Sequence, residues 1–145
     1  MPERETIERA QEDAREGKSP STQVGEFVRE EMHHIREGKH GAASSKQAIA
    51  IGLSKARRSG VKLPAKGSAS TQKKAQQDTD ASRSKRKPSA TRSRATLEAP
   101  KREPHSAATR SALPRQAKTT AKKRSASARS QAAKKAANTR SRKAA

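Results

Sequence analysis

The sequence predicts a mainly disordered chain with a small all-α module near its N-terminus. Charged residues make up 34% and hydrophobic residues 28% of the 145 residues, with one Phe and no Trp or Tyr, which is too little to fill a globule of this length. The formal net charge is +21, and most of it follows residue 64, where 23 basic and four acidic residues give +19. We therefore divide the chain into a charged N-terminal helix (1–18), a helical hairpin module (19–64) and a disordered basic tail (65–145).

Three glycines predict where three short helices end. Gly17, Gly38 and Gly60 follow the similar segments "ARE", "IRE" and "RRS", at the position where a helix commonly ends in a left-handed residue. The predicted helices cover about 3–16, 20–37 and 44–59. The first has only a thin apolar stripe, formed by Ile7, Ala10 and Ala14.

The second and third helices carry the apolar residues of the module. Ser19 is the expected cap of the second helix, with Pro20 as its first residue, a position that needs no N–H donor. Its apolar stripe consists of Val24, Phe27, Val28, Met32 and Ile35. Glu31 falls inside this stripe, and we expect it to be partly exposed. The segment "VKLP" is expected to fold back on the helix pair.

The third helix opens with the spacing of a capping box, in which Ser44 and Gln47 each satisfy a backbone N–H. Its apolar face is expected to contain Ile49, Leu53 and Ala56, with Gly52 beside them. So small a core favours dimerisation through the module or folding on a partner.

The tail after Pro64 lacks Val, Ile, Phe and Met and has only two leucines, Leu97 and Leu113. It cannot bury enough apolar surface to offset the entropy of ordering, which predicts disorder. Four prolines interrupt helices as far as Pro114. Beyond that residue the tail is rich in alanine, and we expect it to become helical once phosphates neutralise its self-repulsion.

Residues 25–64, which contain "SKQAIAIGLSKARR", resemble a family of small bacterial and phage domains of unknown function. The resemblance implies a bacterial source and no particular chemistry. The composition of the tail, rich in Ala, Lys, Arg and Ser, is similar to that of linker-histone tails and bacterial histone-like proteins. That likeness implies DNA binding by a mobile polycation.

The charge predicts a histone-like protein that binds duplex DNA through phosphate contacts with little sequence preference. The expected phosphate-binding residues are Lys85, Arg86, Lys87, Arg92, Arg94, Lys122, Lys123, Arg124, Lys134, Lys135, Arg140, Arg142 and Lys143, with secondary contacts from Lys46, Arg57 and Arg58. An extended tail that engages about ten phosphates predicts a slope of log affinity against log salt near −9. A single Phe offers no platform for stacking single-stranded bases, so a duplex is favoured over single strands, although RNA stays open.

Two alternatives remain beside this prediction. The helical pair could read bases as a helix-turn-helix, through Ser45, Lys46 and Gln47, although the segment between the helices is longer than usual. The helical module could instead be the functional unit of a protein-interaction or stress-related adaptor, tethered to RNA or DNA by the tail.

The sequence predicts no enzyme, no cofactor and no metal site. There is no cysteine, nucleophile elbow or phosphate-binding glycine loop. Among the histidines and glutamates at 30–40, Glu30 and His34 have i, i+4 spacing, which we interpret as a solvated helix face. The longest apolar run, "AIAIGL", is far shorter than a membrane span, so we expect a cytoplasmic, nucleoid-associated protein.

Overall fold

The computed structural model describes residues 2–84 and 89–144, and these residues form an all-α structure. The α-helices are α1 (Arg4–Arg15), α2 (Pro20–Arg36), α3 (Ser45–Arg58), α4 (Ala69–Arg83), α5 (Ala90–Lys101), α6 (Ala112–Lys122) and α7 (Ala126–Ala144), with one 3-10 turn at His105–Ala108. The described residues contain no strand. The chain divides into two compact units, residues 1–109 and residues 110–145.

The three predicted helices are confirmed as α1, α2 and α3, and their ends follow from local chemistry. Gly17, Gly38 and Gly60 have φ values of 71°, 76° and 92°, the left-handed region in which a Cβ is strained. Pro20 is the first residue of α2, as predicted.

The predicted capping box at the start of α3 forms only in half. Ser44 Oγ accepts a hydrogen bond from the Gln47 backbone N–H at 3.3 Å. The Gln47 side chain, however, accepts from the backbone N–H of Ala43 at 2.9 Å rather than from that of Ser44. The amide thus orders the residue that precedes the cap.

The core of the first unit lies where α2 packs against α1 and α3. The Val24 and Phe27 side chains of α2 are buried with Ala10 of α1 and Ala56 of α3. The partly buried side chains around them are Ile7, Val28, Leu53, Val61 and Leu63, so the predicted return of the "VKLP" segment is confirmed. Met32 and Ile35 extend the buried face of α2.

A close approach of α2 and α3 is centred on Gly52. A Cβ at that position would lie 2.9 Å from Val28 Cα, so the crossing requires glycine. The buried face of α3 contains Ala48, Gly52 and Ala56, while Ile49 and Leu53 are half-buried at its side. The predicted face is therefore rotated by about one residue toward the small side chains, because they let the two backbones approach.

The prediction of a mainly disordered chain with a structureless tail is wrong. Helix α4 packs against α3, with Ala75 and Asp78 buried. Residues 100–108 dock on the loop between α2 and α3, where the Gly41 N–H donates to Pro100 O at 2.8 Å and the Ala42 N–H donates to Pro104 O at 3.0 Å. Arguments from large apolar residues miss this docking, since it depends on backbone hydrogen bonds and on buried alanines.

The same docking is completed by side chains of α2 and α3. Arg36 Nε donates to Ala108 O at 2.7 Å, and Ser45 Oγ donates to Ala107 O at 2.8 Å. Ala107 and Ala108 are buried at this contact. The part of the chain predicted to be tail thus contributes to the folded unit up to residue 109.

The second unit consists of helices α6 and α7. Ser125 Oγ accepts from the Ala128 N–H at 3.2 Å and so caps the start of α7. Pro114 is tolerated because it lies in the first turn of α6, where its missing N–H has no partner in the helix. The alanine-rich sequence forms helix in the free chain, although we expected helix only on phosphates, because intrinsic propensity outweighs the repulsion between charges spaced along α7.

Candidate functional site

The candidate interface for nucleic acid is the set of lysines and arginines predicted from the charge pattern. Lys85, Arg86 and Lys87 lie outside the described residues. Arg92 and Arg94 lie in α5, and both side chains are exposed. The structure therefore leaves the largest described group of predicted residues in the second unit.

The second unit carries twelve basic residues and no acidic one, a net charge of +12 over residues 110–145. Lys122 is the last residue of α6, Lys123 is its C-cap, and Arg124 lies just before α7. All three side chains are exposed. Because the unit contains no Asp or Glu, no side-chain carboxylate within it neutralises these cations.

Helix α7 presents its cations on several sides. Lys134, Lys135, Arg140 and Arg142 are exposed, and Lys143 lies in the last turn of the helix. A helix of 19 residues is about 28 Å long. Lys135 and Arg142 are two turns apart and share one side of the helix, whereas Lys134 lies on another.

Sequence reasoning missed four cations of this unit, Arg110, Arg115, Lys118 and Arg129. Arg115, Lys118 and Lys122 have i, i+3, i+7 spacing and so lie on one face of α6, and all three are exposed. Arg129 is three turns from Arg140 on α7. The i, i+3, i+7 spacing is present in the sequence, but it indicates a shared face only if the segment is helical, and we predicted an extended tail.

The three predicted secondary contacts differ in availability. Lys46 is exposed in the first turn of α3. Arg58 forms an ion pair with the buried Asp78 carboxylate, with both Nε and Nη2 3.0 Å from Oδ1. Arg57 Nε is buried without a hydrogen-bond partner among the described residues. Arg58 thus holds α4 against α3, which competes with any contact to phosphate.

A second polar cluster lies inside the first unit, where the sequence predicted a solvated helix face. Glu31, expected to be partly exposed, is fully buried. Its carboxylate lies with His34 and His40, and one ligand atom from each of these residues falls within 4.8 Å of the others. The turn after Gly38 returns His40 to α2, so its proximity to Glu31 could not be read from helical spacing.

Glu3 extends this cluster to the surface. Its carboxylate lies 2.8 Å from His34 Nε2 and 3.4 Å from Lys39 Nζ. The hydrogen bond with His34 lowers the pKa of the Glu3 carboxyl, and the bond from Lys39 adds to that effect. Helix α1 is thereby tied to the C-terminal half of α2.

The two helices of the predicted hairpin coincide with a conserved domain model. Residues 15–67 match a family of unknown function (DUF6496). The match spans all of α2 and α3 and ends before α4. No curated protein and no solved structure shows significant similarity to the chain. The family match therefore carries no chemistry to the candidate interface.

Within the described residues, no helix combines the length and the apolar character that a membrane span requires.

Proposed function

We propose that the protein binds duplex nucleic acid with little sequence preference, through phosphate contacts made by residues 110–145. The observation that carries this proposal is the acid-free charge of +12 on residues 110–145, in which the cations from Arg110 to Arg142 are exposed. Cations that lack carboxylate partners contribute most to the free energy of binding a polyanion, because they release its condensed counterions. DNA in the bacterial nucleoid is the partner we favour.

Helical structure changes the expected mechanism. An extended tail would let nearly every cation reach a phosphate, whereas a helix turns part of its cations away from any one duplex. The Arg115, Lys118 and Lys122 face of α6 and one side of α7 together supply about six contacts. Six contacts correspond to a slope of log affinity against log salt of about −5.

The aromatic content favours a duplex over single strands. The sequence contains one Phe and no Tyr or Trp. That residue, Phe27, is 1% exposed in the core of the first unit. Binding of single strands usually adds base stacking on exposed aromatic rings, each worth about 1–3 kcal/mol. This protein has no such ring to offer.

Base reading by the start of α3 receives little support. The Gln47 side chain is held by the Ala43 backbone, and Ser45 Oγ is bonded to Ala107 O, so two of the three expected readers are engaged within the protein. Only Lys46 is exposed, and one lysine supplies no sequence code. We assign the first unit a role in assembly or in placing the protein on its partner. Homodimer formation through this unit stays a prediction.

The test is to identify what the protein holds in cells. Crosslinking, followed by purification with nuclease and sequencing, should recover DNA spread broadly over the genome. Recovery of RNA alone, or of one defined protein without nucleic acid, would contradict the proposal and favour the adaptor. Loss of the recovered DNA in a variant with glutamine at the basic positions of α7 would tie it to the second unit.

A further inference from the structure

Glu31 has an environment that the fold does not explain. Its side chain is 1% exposed, and neither carboxylate oxygen forms a hydrogen bond within the described residues. Two basic side chains lie nearby, with Lys55 Nζ at 2.7 Å from Oε2 and His40 Nε2 at 3.3 Å from Oε1. Both contacts are close enough for electrostatic attraction but are poorly directed for hydrogen bonding. A buried carboxylate that accepts no hydrogen bond is costly even beside an ammonium group, unless a further cation coordinates it.

The orientation of His40 points to what that cation is. His40 Nδ1 lies 3.1 Å from the carbonyl oxygen of Gly41, and a carbonyl only accepts, so Nδ1 carries the proton. In the neutral ring, Nε2 then presents a lone pair to Glu31 Oε1. Two acceptors facing each other repel, unless a proton or a metal ion lies between them. A histidine whose other nitrogen donates to a backbone carbonyl is the usual arrangement of a metal ligand.

His34 completes a set of three ligands. It lies one turn after Glu31 on α2, with its side chain 12% exposed, and it lines a surface depression together with Glu3 and Glu30. The three ligand atoms lie within 4.8 Å of one another. Ligand atoms of tetrahedral zinc lie about 3.4 Å apart, and small side-chain rotations would bring these three atoms to that separation. Two histidines and one glutamate are a donor set that zinc uses with its fourth position open.

We propose that Glu31, His34 and His40 bind a divalent transition-metal ion, with Zn²⁺ as the best fit. The Lys55 ammonium is then the occupant that the ion displaces from Glu31. Imidazole nitrogens favour zinc over Mg²⁺ or Ca²⁺, which prefer oxygen ligands. The ion would join α2 to the loop on which residues 100–108 dock, so that metal binding stabilises the first unit. This inference stands independently of nucleic-acid binding.

The test is a Zn²⁺ titration of the untagged full chain after removal of metal, monitored by calorimetry and by competition with a chromophoric chelator. We expect saturable binding of one ion per chain and a rise in Tm. His40→Ala and Glu31→Gln should each weaken binding by more than the roughly 10–100-fold that loss of an outer-shell partner costs. Co²⁺ should give the visible bands of tetrahedral coordination in the wild type and lose them in both variants.

Two further variants separate a metal site from a salt-bridge network. His33→Ala is the matched control, because His33 is adjacent to His34 but has a side chain 70% exposed, and it should bind Zn²⁺ as the wild type does. Lys55→Met removes the competing ammonium and should tighten Zn²⁺ binding. This variant decides the matter even if His40→Ala fails to fold. Absence of one-to-one binding, equal binding by folded His40→Ala, or no gain in Lys55→Met would overturn the proposal.

Discussion

The two units of this protein use similar helices but treat their charges differently. In residues 1–109, several cations form ion pairs with carboxylates of the same unit, as in Arg9–Glu26 at 2.8 Å and Arg58–Asp78 at 3.0 Å. Residues 110–145 contain no Asp or Glu. The first unit also has a buried core, whereas every described side chain of α7 from 126 to 142 is exposed. Residues 1–109 thus pair part of their cations with their own carboxylates, whereas residues 110–145 have no side-chain carboxylate to pair with.

A substitution in the core of the first unit should strongly reduce stability and leave nucleic-acid binding intact. Phe27→Ala removes a side chain that is 1% exposed and should lower the free energy of unfolding by about 3–5 kcal/mol. Thermal unfolding followed by circular dichroism measures this loss. Duplex affinity should stay within about threefold, because the proposed phosphate contacts are confined to the second unit.

Leu97→Ala is the control for that variant, because Leu97 is 61% exposed and its loss should change the free energy of unfolding by no more than about 0.5 kcal/mol. If Phe27→Ala abolished duplex binding at a temperature where α7 is still helical, the two units would not divide structure and binding as described.

The next effect is on affinity, and it comes from the second unit. One variant replaces the exposed basic residues of α7 by glutamine, which keeps helix propensity: Arg129, Lys134, Lys135, Arg140 and Arg142. If about three of these contact phosphates, duplex affinity should fall about 100-fold near 0.15 M salt. Fluorescence anisotropy with two unrelated duplexes of equal length measures the change.

The matched control removes the same number of charges from the first unit. Its glutamine substitutions fall on cations that are ion-paired on the surface: Arg4, Arg9, Lys18, Lys39 and Lys101. These exposed pairs contribute little to stability, about 0–1 kcal/mol each. Affinity should fall much less than in the α7 variant. Equal losses would mean that net charge alone matters and that the two units do not differ.

A smaller effect tests the close crossing of α2 and α3. Gly52→Ala places a Cβ 2.9 Å from Val28 Cα and should cost about 1–3 kcal/mol of stability. Gly25→Ala is the matched control in α2, where a Cβ meets nothing within 4 Å. It should stabilise the protein by about 0.5–1 kcal/mol, the propensity difference between the two residues in a helix. Similar Tm shifts of the same sign in both variants would rule out the crossing.

Most features that the sequence predicted correctly are decided by near neighbours. Gly38 ends α2 and Ser44 caps α3 because the chemistry involves residues within four positions. The docking of residues 100–108 escaped prediction, since the Gly41 and Ala42 N–H groups find acceptors about sixty residues away.

The candidate sites divide in the same way. The cationic character of residues 110–145 follows from composition. Their helical structure is harder to predict, because the helix propensity of alanine opposes the repulsion between like charges. In the sequence, Glu31 interrupts an apolar stripe without an evident reason. In the structure it contacts Lys55 of α3 and His40 of the following loop, and helical spacing within α2 indicates neither contact. Contacts between distant parts of one chain leave no periodic pattern to find.

The salt dependence of duplex affinity decides whether the helical, acid-free second unit binds duplex phosphates. Duplex affinity of the full chain, measured by anisotropy from about 50 to 200 mM salt, should fall about 10³-fold with a slope of about −5, equally for unrelated duplexes. A slope near −9 would indicate an extended tail that engages about ten phosphates. A shallow slope of about −2 would limit the contacts to about two phosphates, and that result would contradict phosphate binding by the second unit.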